Sequence, residues 1–395
     1  MRSLSVAALF AGIGGLDLGL EKTGHCTEFM SEWDPVCSVV LRKHFPNATH
    51  VADVREIKTL PKIDLVTAGF PCQDISLAGT KAGLLGARSG LINEVFRLIS
   101  KRKPEFVLIE NVLNLLRLQS GEAMVSILRD LEVLGYRWAY RVVDSRGFGL
   151  PQRRQRVVIL ASRGEILPQN VLFSIQKDES IDDRILNIDP SHVYGFYWTE
   201  GKRGIGWAVD AVPTIKGGSG LGIPSPPAIF DPNVGIAGTP TIRDAERLQG
   251  FRSDWTRVQV DGMLVKEGAR WKMVGNAVSV PLSRWLGKEL SQENFAELSR
   301  PIVPLDLTRA MPKAAFGDKK TWWTVESSLN VLRATHMPIQ NFLLDPVKPL
   351  SARALEGYLS RVASGDKNLP KTFIKALKRQ AQISNKYIIE PFYLN

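Results

Sequence analysis

Short apolar segments and helical patterns alternate along the first 160 residues of the chain. The apolar runs that have the length of buried strands lie at residues 4–10, 27–31, 63–68, 106–109 and 157–161. The segments with helical spacing of apolar residues lie at residues 16–20, 35–45, 91–102 and 123–134. Strands that alternate with helices predict parallel βαβ units, and therefore an α/β domain with a doubly wound, mostly parallel sheet.

The pattern changes near residue 163. From there to about residue 238 the chain is polar and rich in turn residues, which predicts a smaller, irregular, β-rich domain. Helical patterns return at residues 242–249 and 280–290, before a C-terminal extension that we expect to be helical. The predicted domains are a catalytic domain at 1–162 that is completed by 275–291, a small domain at 163–274, and an extension at 292–395.

Composition and charge narrow the classes of protein. With 51 Lys and Arg against 40 Asp and Glu, the 395-residue chain carries a formal charge of +11, which favours an anionic partner, most often nucleic acid. The three cysteines include no Cys-x-x-Cys pair, so we expect a reducing compartment, no disulfide framework and no metal site. No apolar run approaches the roughly 18 residues of a membrane span, and the N-terminus predicts a strand rather than a signal peptide. We therefore expect no membrane partner.

A glycine cluster at residues 12–15 lies between the first predicted strand and the first predicted helix. Glycines there let backbone N–H groups approach a nucleotide-type cofactor closely, although a purely structural turn explains the cluster equally well. Glu32 ends the next strand, where a carboxylate can accept hydrogen bonds from a ribose diol, and Asp53 stands at a further strand end. These acids favour a cofactor that contains adenosine.

Cys72 follows the strand at 63–68, in the turn Gly-Phe-Pro-Cys-Gln. A cysteine taken alone is more often a small buried apolar residue than a nucleophile. Here Glu110 ends the next strand, so its carboxyl group is expected at the same edge of the sheet. Arg154 and Arg156 precede another strand, and cations near a thiol favour the reactive thiolate. This combination predicts nucleophilic catalysis.

Seven short motifs follow one another in an order typical of one enzyme family. They lie at residues 10–15, 32–33, 69–73, 110–112, 152–156, 243–251 and 275–278. With these motifs the chain resembles a DNA (cytosine-5) methyltransferase of the bacterial modification type, over nearly three quarters of its length. The resemblance implies the fold of S-adenosylmethionine-dependent methyltransferases, with the region at 163–274 as the target-recognition domain.

The resemblance also implies a mechanism. Cys72 would add to C6 of a cytosine that is flipped out of the duplex, and Glu110 would hold or share a proton at N3. Arg156 would contact O2 of the base, and Arg154 would orient Glu110 or a phosphate. S-adenosylmethionine would supply the methyl group.

Further residues are implied for binding. Those for the cofactor are Phe10, Gly12, Ile13, Gly14, Gly15, Glu32, Trp33, Asp53, Pro71, Asn276 and Val278. Those for DNA are Gln73, Ser76, Arg88, Thr214 and Lys216, with Lys202 and Arg203 as additional candidates. Residues 73–90, with four glycines, would form a loop that closes over the DNA.

The expected partner is double-stranded DNA, with the protein a monomer in the bacterial cytoplasm and a cognate restriction endonuclease acting on the same site. The same chemistry on tRNA is the nearest alternative, and a non-catalytic DNA-binding homologue is the alternative from another class. A nicotinamide-dependent dehydrogenase would rest on the glycine cluster alone.

The C-terminal extension contains a helical pattern with two different faces. Cations at Lys371, Lys375, Lys378 and Arg379 share one face, and Phe373, Ile374 and Leu377 share another. Two interpretations are open at this point: a solvated helix that packs on the main body, or an additional contact with the DNA backbone.

Overall fold

The computed structural model describes most of the chain. The described residues are 2–70, 90–175, 187–200, 204–218, 225–293, 295, 298, 301–332, 337–365 and 369–394. Several residues that the sequence analysis singled out lie outside these ranges, namely Pro71, Cys72, Gln73, Ser76, Arg88, Lys202 and Arg203.

Strands and helices alternate in the first part of the chain and are shorter and more irregular in the middle. The strands are β1 (Ser5–Leu9), β2 (Cys26–Ser31), β3 (Thr49–Val51), β4 (Leu65–Ala68), β5 (Phe106–Val112), β6 (Arg137–Asp144), β7 (Gln152–Arg153), β8 (Gln155–Ser162), β9 (Tyr194–Phe196), β10 (Ala208–Val209), β11 (Val212–Pro213), β12 (Ala228–Asp231), β13 (Ile236–Thr239), β14 (Gln259–Val260), β15 (Met263–Leu264), β16 (Ile302–Pro304), β17 (Ala314–Gly317), β18 (Trp322–Val325) and β19 (Lys348–Pro349). The α-helices are α1 (Gly15–Glu21), α2 (Pro35–His44), α3 (Leu91–Arg102), α4 (Glu122–Val133), α5 (Pro168–Leu172), α6 (Ile242–Leu248), α7 (Glu267–Asn276), α8 (Val280–Leu290), α9 (Ile339–Phe342), α10 (Ala352–Ala363) and α11 (Lys371–Ser384). Among the described residues, no helix combines the length and the apolar character needed to cross a membrane.

The chain divides into two compact units. The first contains residues 1–144, 155–179 and 278–333, and the second contains residues 145–154, 180–277 and 334–395. The segment that the sequence analysis set apart at 292–395 is thus shared between the units, because its first part pairs with the main sheet and its second part packs in the core of the second unit.

The first unit is built on a ten-stranded sheet with the order β16-β18-β17-β6-β8-β5-β4-β1-β2-β3. The five strands from β3 to β5 run parallel, and β8 is antiparallel to both of its neighbours, β5 and β6. The predicted α/β fold with a mostly parallel core is confirmed. The antiparallel strands β16 to β18 extend this sheet beyond β6 and were not predicted.

Helices cover both faces of the main sheet. In β1 both alternating sets of side chains are buried, as is typical of a strand covered on two sides. Ala7 and Leu9 belong to the core cluster that contains α3 and α4, whereas α1, α5 and α8 lie outside that cluster and pack together. Strands in such a layered fold meet ligands at their carboxyl ends, which sets the position of the site.

The second unit is irregular and β-rich, as predicted. Its largest sheet is antiparallel, with the order β10-β9-β12-β13-β19. The apolar face of this sheet packs against α10 and α11, with Phe196, Phe230, Tyr358, Phe373 and Leu377 in one core. The last helices of the chain are therefore part of the fold of this unit.

Candidate active site

Strands β1 and β4 of the first unit end beside β5, which continues for three residues beyond them. Leu9, Ala68 and Ile109 lie side by side in β1, β4 and β5, so the residues that follow them emerge at a common edge. A Cβ atom placed on Gly69 would stand 3.9 Å from Oε2 of Glu110 and 3.9 Å from the carbonyl oxygen of Phe10. The glycine turn, the Gly69 motif and Glu110 therefore converge, as the sequence predicts. Cys72 follows Gly69 by three residues, outside the described ranges.

Glu110 is held by Arg156. The guanidinium Nε of Arg156 lies 2.8 Å from Oε1 of Glu110, and each side chain is 10% exposed. The antiparallel register places Arg156 opposite Val112, so both charged side chains fall on the same face of the β5–β8 pair. Arg156 also donates from Nη1 to the carbonyl oxygen of Gln155. The pair fixes one carboxylate oxygen, whereas Oε2 is the oxygen nearer to Gly69.

Asn111 has a role that the sequence analysis missed. Its Nδ2 donates to the carbonyl oxygen of Phe70 at 3.0 Å, and its Oδ1 accepts from the Val112 N–H at 2.9 Å. Asn111 is buried in β5 next to Glu110, and it connects this strand to Phe70, the residue that leads into the Cys72 motif. The only signal in the sequence is its place between Glu110 and Val112.

The glycine turn leaves room beside its backbone. Phe10 and Gly12 have φ angles of +57° and +59°, in the left-handed region that favours glycine. A Cβ atom on Gly12 would meet no atom within 4 Å, so the space there is open to a ligand. Gly14, at φ +81°, is instead packed under the ring of Phe45. Gly12 thus fits a ligand-facing position, and Gly14 fits a structural one.

Glu32 connects this turn to the end of β2. Its Oε2 accepts from the Gly12 N–H at 2.7 Å and its Oε1 accepts from the Asp34 N–H at 2.8 Å. Burial raises the pKa of the Glu32 carboxyl, and the backbone N–H groups of Asp34 and Gly12 act in the opposite direction. Each carboxylate oxygen has two acceptor positions, so Glu32 retains capacity for ribose hydroxyls.

Trp33 and Asp53 both contact the guanidinium group of Arg55. The Trp33 side chain is 67% exposed, with the Arg55 guanidinium 5.1 Å from its ring centroid. The Asp53 carboxylate accepts from Nη2 of Arg55 at 2.6 Å, and this hydrogen bond holds the pKa of Asp53 below its usual value. The open space at Gly12, the carboxylate of Glu32 and the exposed ring of Trp33 together fit an adenosine-bearing cofactor.

In the second unit, Arg154 connects its own segment to two others, one at Ile215 and one at 275–277. Its guanidinium donates to the carbonyl oxygens of Ile215 at 2.9 Å, Gly275 at 3.1 Å and Ala277 at 2.6 Å. These bonds differ from the predicted contact with Glu110 or a phosphate, and they give Arg154 a positioning role within its own unit. Gln152 supports the same region, because its Oε1 accepts from the Ile215 N–H at 3.0 Å.

The predicted DNA contacts Thr214 and Lys216 have partners inside the second unit. The Thr214 hydroxyl donates to the carbonyl oxygen of Arg153 at 2.7 Å. Lys216 pairs with Glu200, and its ammonium lies 3.9 Å from the ring centroid of Tyr197. Burial raises the pKa of Tyr197 to about 12, so its hydroxyl donates to the Thr214 carbonyl throughout the physiological range.

The last predicted motif is divided between the units. Asn276 belongs to the second unit, where its side chain packs closely against Gly217. Val278 belongs to the first unit, just before α8. The prediction that both residues bind the cofactor stays a prediction.

Comparisons with known proteins agree with these motifs. Residues 4–196 match the family model of C-5 cytosine-specific DNA methylase. The chain is 49% identical over 387 residues to Type II methyltransferase M2.BsuMI of Bacillus subtilis (strain 168), covering 95% of this chain and 98% of that protein. It is 35% identical to M.Bsp6I of Bacillus sp. (strain RFL6), over 50% of this chain and 65% of that protein. It is 29% identical to M.PspPI of Psychrobacter sp. (strain TA137), over 73% of this chain and 79% of that protein. Because the match to the Bacillus subtilis relative covers both sequences almost completely, the chain belongs to the family of C-5 cytosine-specific DNA methylases.

Proposed function

We propose that the protein transfers a methyl group from S-adenosylmethionine to C5 of a flipped-out cytosine in a specific short site of duplex DNA. The observation that carries the proposal is the ion pair between Glu110 and Arg156, which lies at the strand ends where Gly69 leads into the Cys72 motif. The first unit would be the catalytic domain, and the second unit would recognise the target sequence.

Cys72 would activate the base by nucleophilic addition. Cytosine C5 is a weak nucleophile until a thiolate adds to C6, forming an S–C6 bond and moving an electron pair of the ring toward N3. Glu110 would give a proton to N3, so that the adduct carries an enamine whose C5 attacks the methyl group. Arg156 would keep one oxygen of Glu110 fixed, and its guanidinium would contact O2 of the base.

The chain would hold the methyl donor at the end of β1. Gly12 offers backbone next to open space, Glu32 can accept from the ribose, and the exposed ring of Trp33 can pack against the adenine. When bound, S-adenosylmethionine would supply an electrophilic methyl group to C5 and would leave as S-adenosylhomocysteine. Removal of the C5 proton by a base would then restore the C5–C6 double bond and expel the Cys72 thiolate, and the N3 proton would return to Glu110.

DNA is the proposed substrate, and flipping of the base follows from it, because C5 inside a duplex is out of reach of a thiol. The relatives are named Type II methyltransferases of bacteria, which supports a modification role in the bacterial cytoplasm beside a restriction endonuclease of the same specificity. That the protein acts as a monomer stays a prediction.

Bisulfite sequencing of DNA from cells that express the protein tests the proposal directly. The wild type should leave 5-methylcytosine at one position of a short recurring sequence. Cys72→Ser should abolish methylation while cofactor binding, measured by calorimetry, is retained. Cys26→Ser is the matched control at an exposed cysteine and should be fully active.

A parallel assay separates the alternatives. Transfer of labelled methyl groups to duplex DNA, with none to tRNA, supports the proposal, and the reverse result supports the tRNA enzyme. Full activity of Cys72→Ser would contradict the covalent mechanism. Inactivity of the wild type on both nucleic acids, with DNA binding intact, would identify a non-catalytic homologue.

A further inference from the structure

Helix α11 carries four cations on the face opposite to its buried face. Phe373, Leu377, Gln380 and Ala381 are buried in the core of the second unit. The four exposed cations are Lys371, Lys375, Lys378 and Arg379, which we call the basic face of α11. At 100° per residue these four positions fall within an arc of about 100°, centred on the side of the helix that points away from the buried residues.

Within the described part of the chain, the basic face has no compensating charge. The helix contains four basic residues and no acidic residue, and among the described residues none of the four cations has an ion-pair partner. Lys371 and Lys375 are four residues apart, as are Lys375 and Arg379, and like charges at this spacing repel each other. Lys371 also stands in the first turn, where the helix dipole disfavours a cation.

The repulsion between these charges destabilises the free helix. An anionic partner would neutralise the charges and remove this destabilisation. The neighbouring helix α10 differs, because it contains Glu356 among its basic residues and its Arg361 donates to the carbonyl oxygen of Trp198 at 2.8 Å. The cations of α11 are thus arranged unlike those of α10.

The direction of the basic face is fixed by Gln380. Its Oε1 accepts from the Ala237 N–H at 2.8 Å, and its Nε2 donates to the carbonyl oxygens of Ala237 at 2.8 Å and Leu350 at 3.2 Å. These bonds tie α11 to β13, next to the apolar contacts of Phe373. The cations are therefore presented on a helix that is anchored in the proposed recognition unit, and they line a groove of about 590 Å³.

We propose that the basic face of α11 binds the phosphate backbone of duplex DNA, independently of base sequence. The cations extend over about 12 Å of the helix axis, at 1.5 Å per residue. A DNA strand has one phosphate per roughly 3.4 Å of axis, so three to four phosphates match this length. Lys and Arg contacts to phosphate position a protein on the duplex and carry no sequence information. This inference rests on the proposed action on DNA.

The salt dependence of DNA binding tests the inference. In the full-length protein, the variant K371Q/K375Q/K378Q/R379Q changes only exposed side chains and relieves the repulsion between them, so its thermal midpoint should be no lower than that of the wild type. The logarithm of the DNA association constant falls linearly with the logarithm of the salt concentration. Each lost phosphate contact should make this negative slope shallower by about 0.9, or by up to about 3.6 for four contacts. Between 50 and 200 mM salt, the difference in affinity between wild type and variant should therefore shrink on the order of 100-fold.

The loss should be equal on duplexes with and without the methylated sequence, because phosphate contacts do not distinguish them. The KM for DNA should rise, and kcat at saturating DNA should stay unchanged. The variant K371R/K375R/K378R keeps the charges and should retain the wild-type slope.

A control variant removes the same number of charges elsewhere. It is K58Q/K62Q/K319Q/K320Q, at exposed lysines of the first unit near the amino end of β5, away from Glu110. Its salt slope should match that of the wild type, and an equal loss in this control would overturn the inference by tracing the effect to net charge.

An unchanged slope and affinity in the α11 variant would overturn the inference while leaving the proposed methylation intact. Failure of the wild type to methylate any DNA would instead contradict the proposed function, whatever the α11 variant does.

Discussion

The orientation of Glu110 depends on the shape of one side chain. Arg156 reaches Oε1 of Glu110 from Nε and the Gln155 carbonyl from Nη1, and a lysine has a single ammonium that cannot do both. We expect Arg156→Lys to lower the rate of methyl transfer about 100-fold, with cofactor affinity unchanged. Single-turnover kinetics with saturating DNA would measure this.

Arg97→Lys is the matched control, since Arg97 is half-buried and pairs with Glu94 within α3, and methyl transfer should be unaffected by the change. An active Arg156→Lys enzyme would mean that the carboxyl of Glu110 needs no fixed orientation.

The buried carboxyl group of Asp17 should make the free energy of unfolding depend on pH. It is buried in α1, neither carboxylate oxygen has a hydrogen-bond partner among the described residues, and burial raises its pKa from 3.8 to about 7. The fold therefore favours the neutral form, so stability is lost as the pH rises from about 4 to about 7. At about 1.4 kcal/mol per pKa unit, the loss between pH 5 and pH 8 is on the order of 3 kcal/mol.

Asp17→Asn should remove this pH dependence. Between pH 5 and pH 8 the thermal midpoint of the wild type should fall by about 5 °C or more relative to the variant. Glu28→Gln, at an exposed carboxylate of β2, should behave as the wild type. Parallel midpoints for the wild type and Asp17→Asn would show that Asp17 is not neutral in the fold.

For single residues, the sequence predicts the candidate site well where its side chains lie on adjacent strands of the main sheet. Glu110 lies near the carboxyl end of β5, where the βαβ pattern predicts that it meets the turn after β4. Arg156 reaches it from the start of the antiparallel strand β8, which that pattern does not predict. The bonds of Arg154 could not be predicted, because its acceptors lie 61 to 123 residues away and are backbone atoms that any residue supplies. Asn111 was missed for the same reason, since it bonds to the backbone of Phe70.

At the scale of elements, α7 approaches the segment after β11 so closely that a side chain would not fit. A Cβ atom on Gly275 would collide with the backbone of Lys216 and Gly217, and neither can move without disturbing the Ile215 carbonyl that Arg154 holds. We expect Gly275→Ala to destabilise the second unit by about 2 to 3 kcal/mol despite the helix propensity of alanine. Urea unfolding would measure the change.

Gly218→Ala is the control for this prediction, because a Cβ atom there would meet no atom within 4 Å. Its stability should be close to that of the wild type. Equal stability of both variants would contradict the close approach of α7.

Elements with a regular pattern were predicted well, and elements that break the pattern were not. The predicted helices at 91–102 and 280–290 coincide with α3 and α8. Strand β6 was missed because Arg141 interrupts its apolar run, although this arginine is buried and donates to the carbonyl oxygens of Leu172 and Ser328. The partners that make a buried charge acceptable are distant in sequence, so the local pattern could not predict them.

At the scale of the whole molecule, the C-terminal segment completes both units. Ala315 and Phe316 of β17 pair with β6 in the main sheet, whereas Tyr358 and Phe373 belong to the core of the second unit. From composition alone, this segment is a basic extension without a defined place. Its apolar residues form a core only when they pack against β9, β12 and β13. The irregular pattern at 163–238 does not predict these three strands individually.

A chain that ends after residue 332 should therefore lose the second unit and keep the first. The truncation removes Leu355, Tyr358, Phe373 and Leu377 from the core, and the loss of each large buried side chain costs about 2 to 5 kcal/mol. For the four side chains this amounts to about 8 to 20 kcal/mol, which is as large as the roughly 5 to 15 kcal/mol that stabilises a domain. We expect cofactor binding to persist, methyl transfer to be absent, and proteolysis to cleave within 187–277.

A chain that ends after residue 386 keeps α11 whole and should resist the protease as the full-length protein does. Protection of 187–277 in the shorter chain would mean that the second unit folds without α10 and α11.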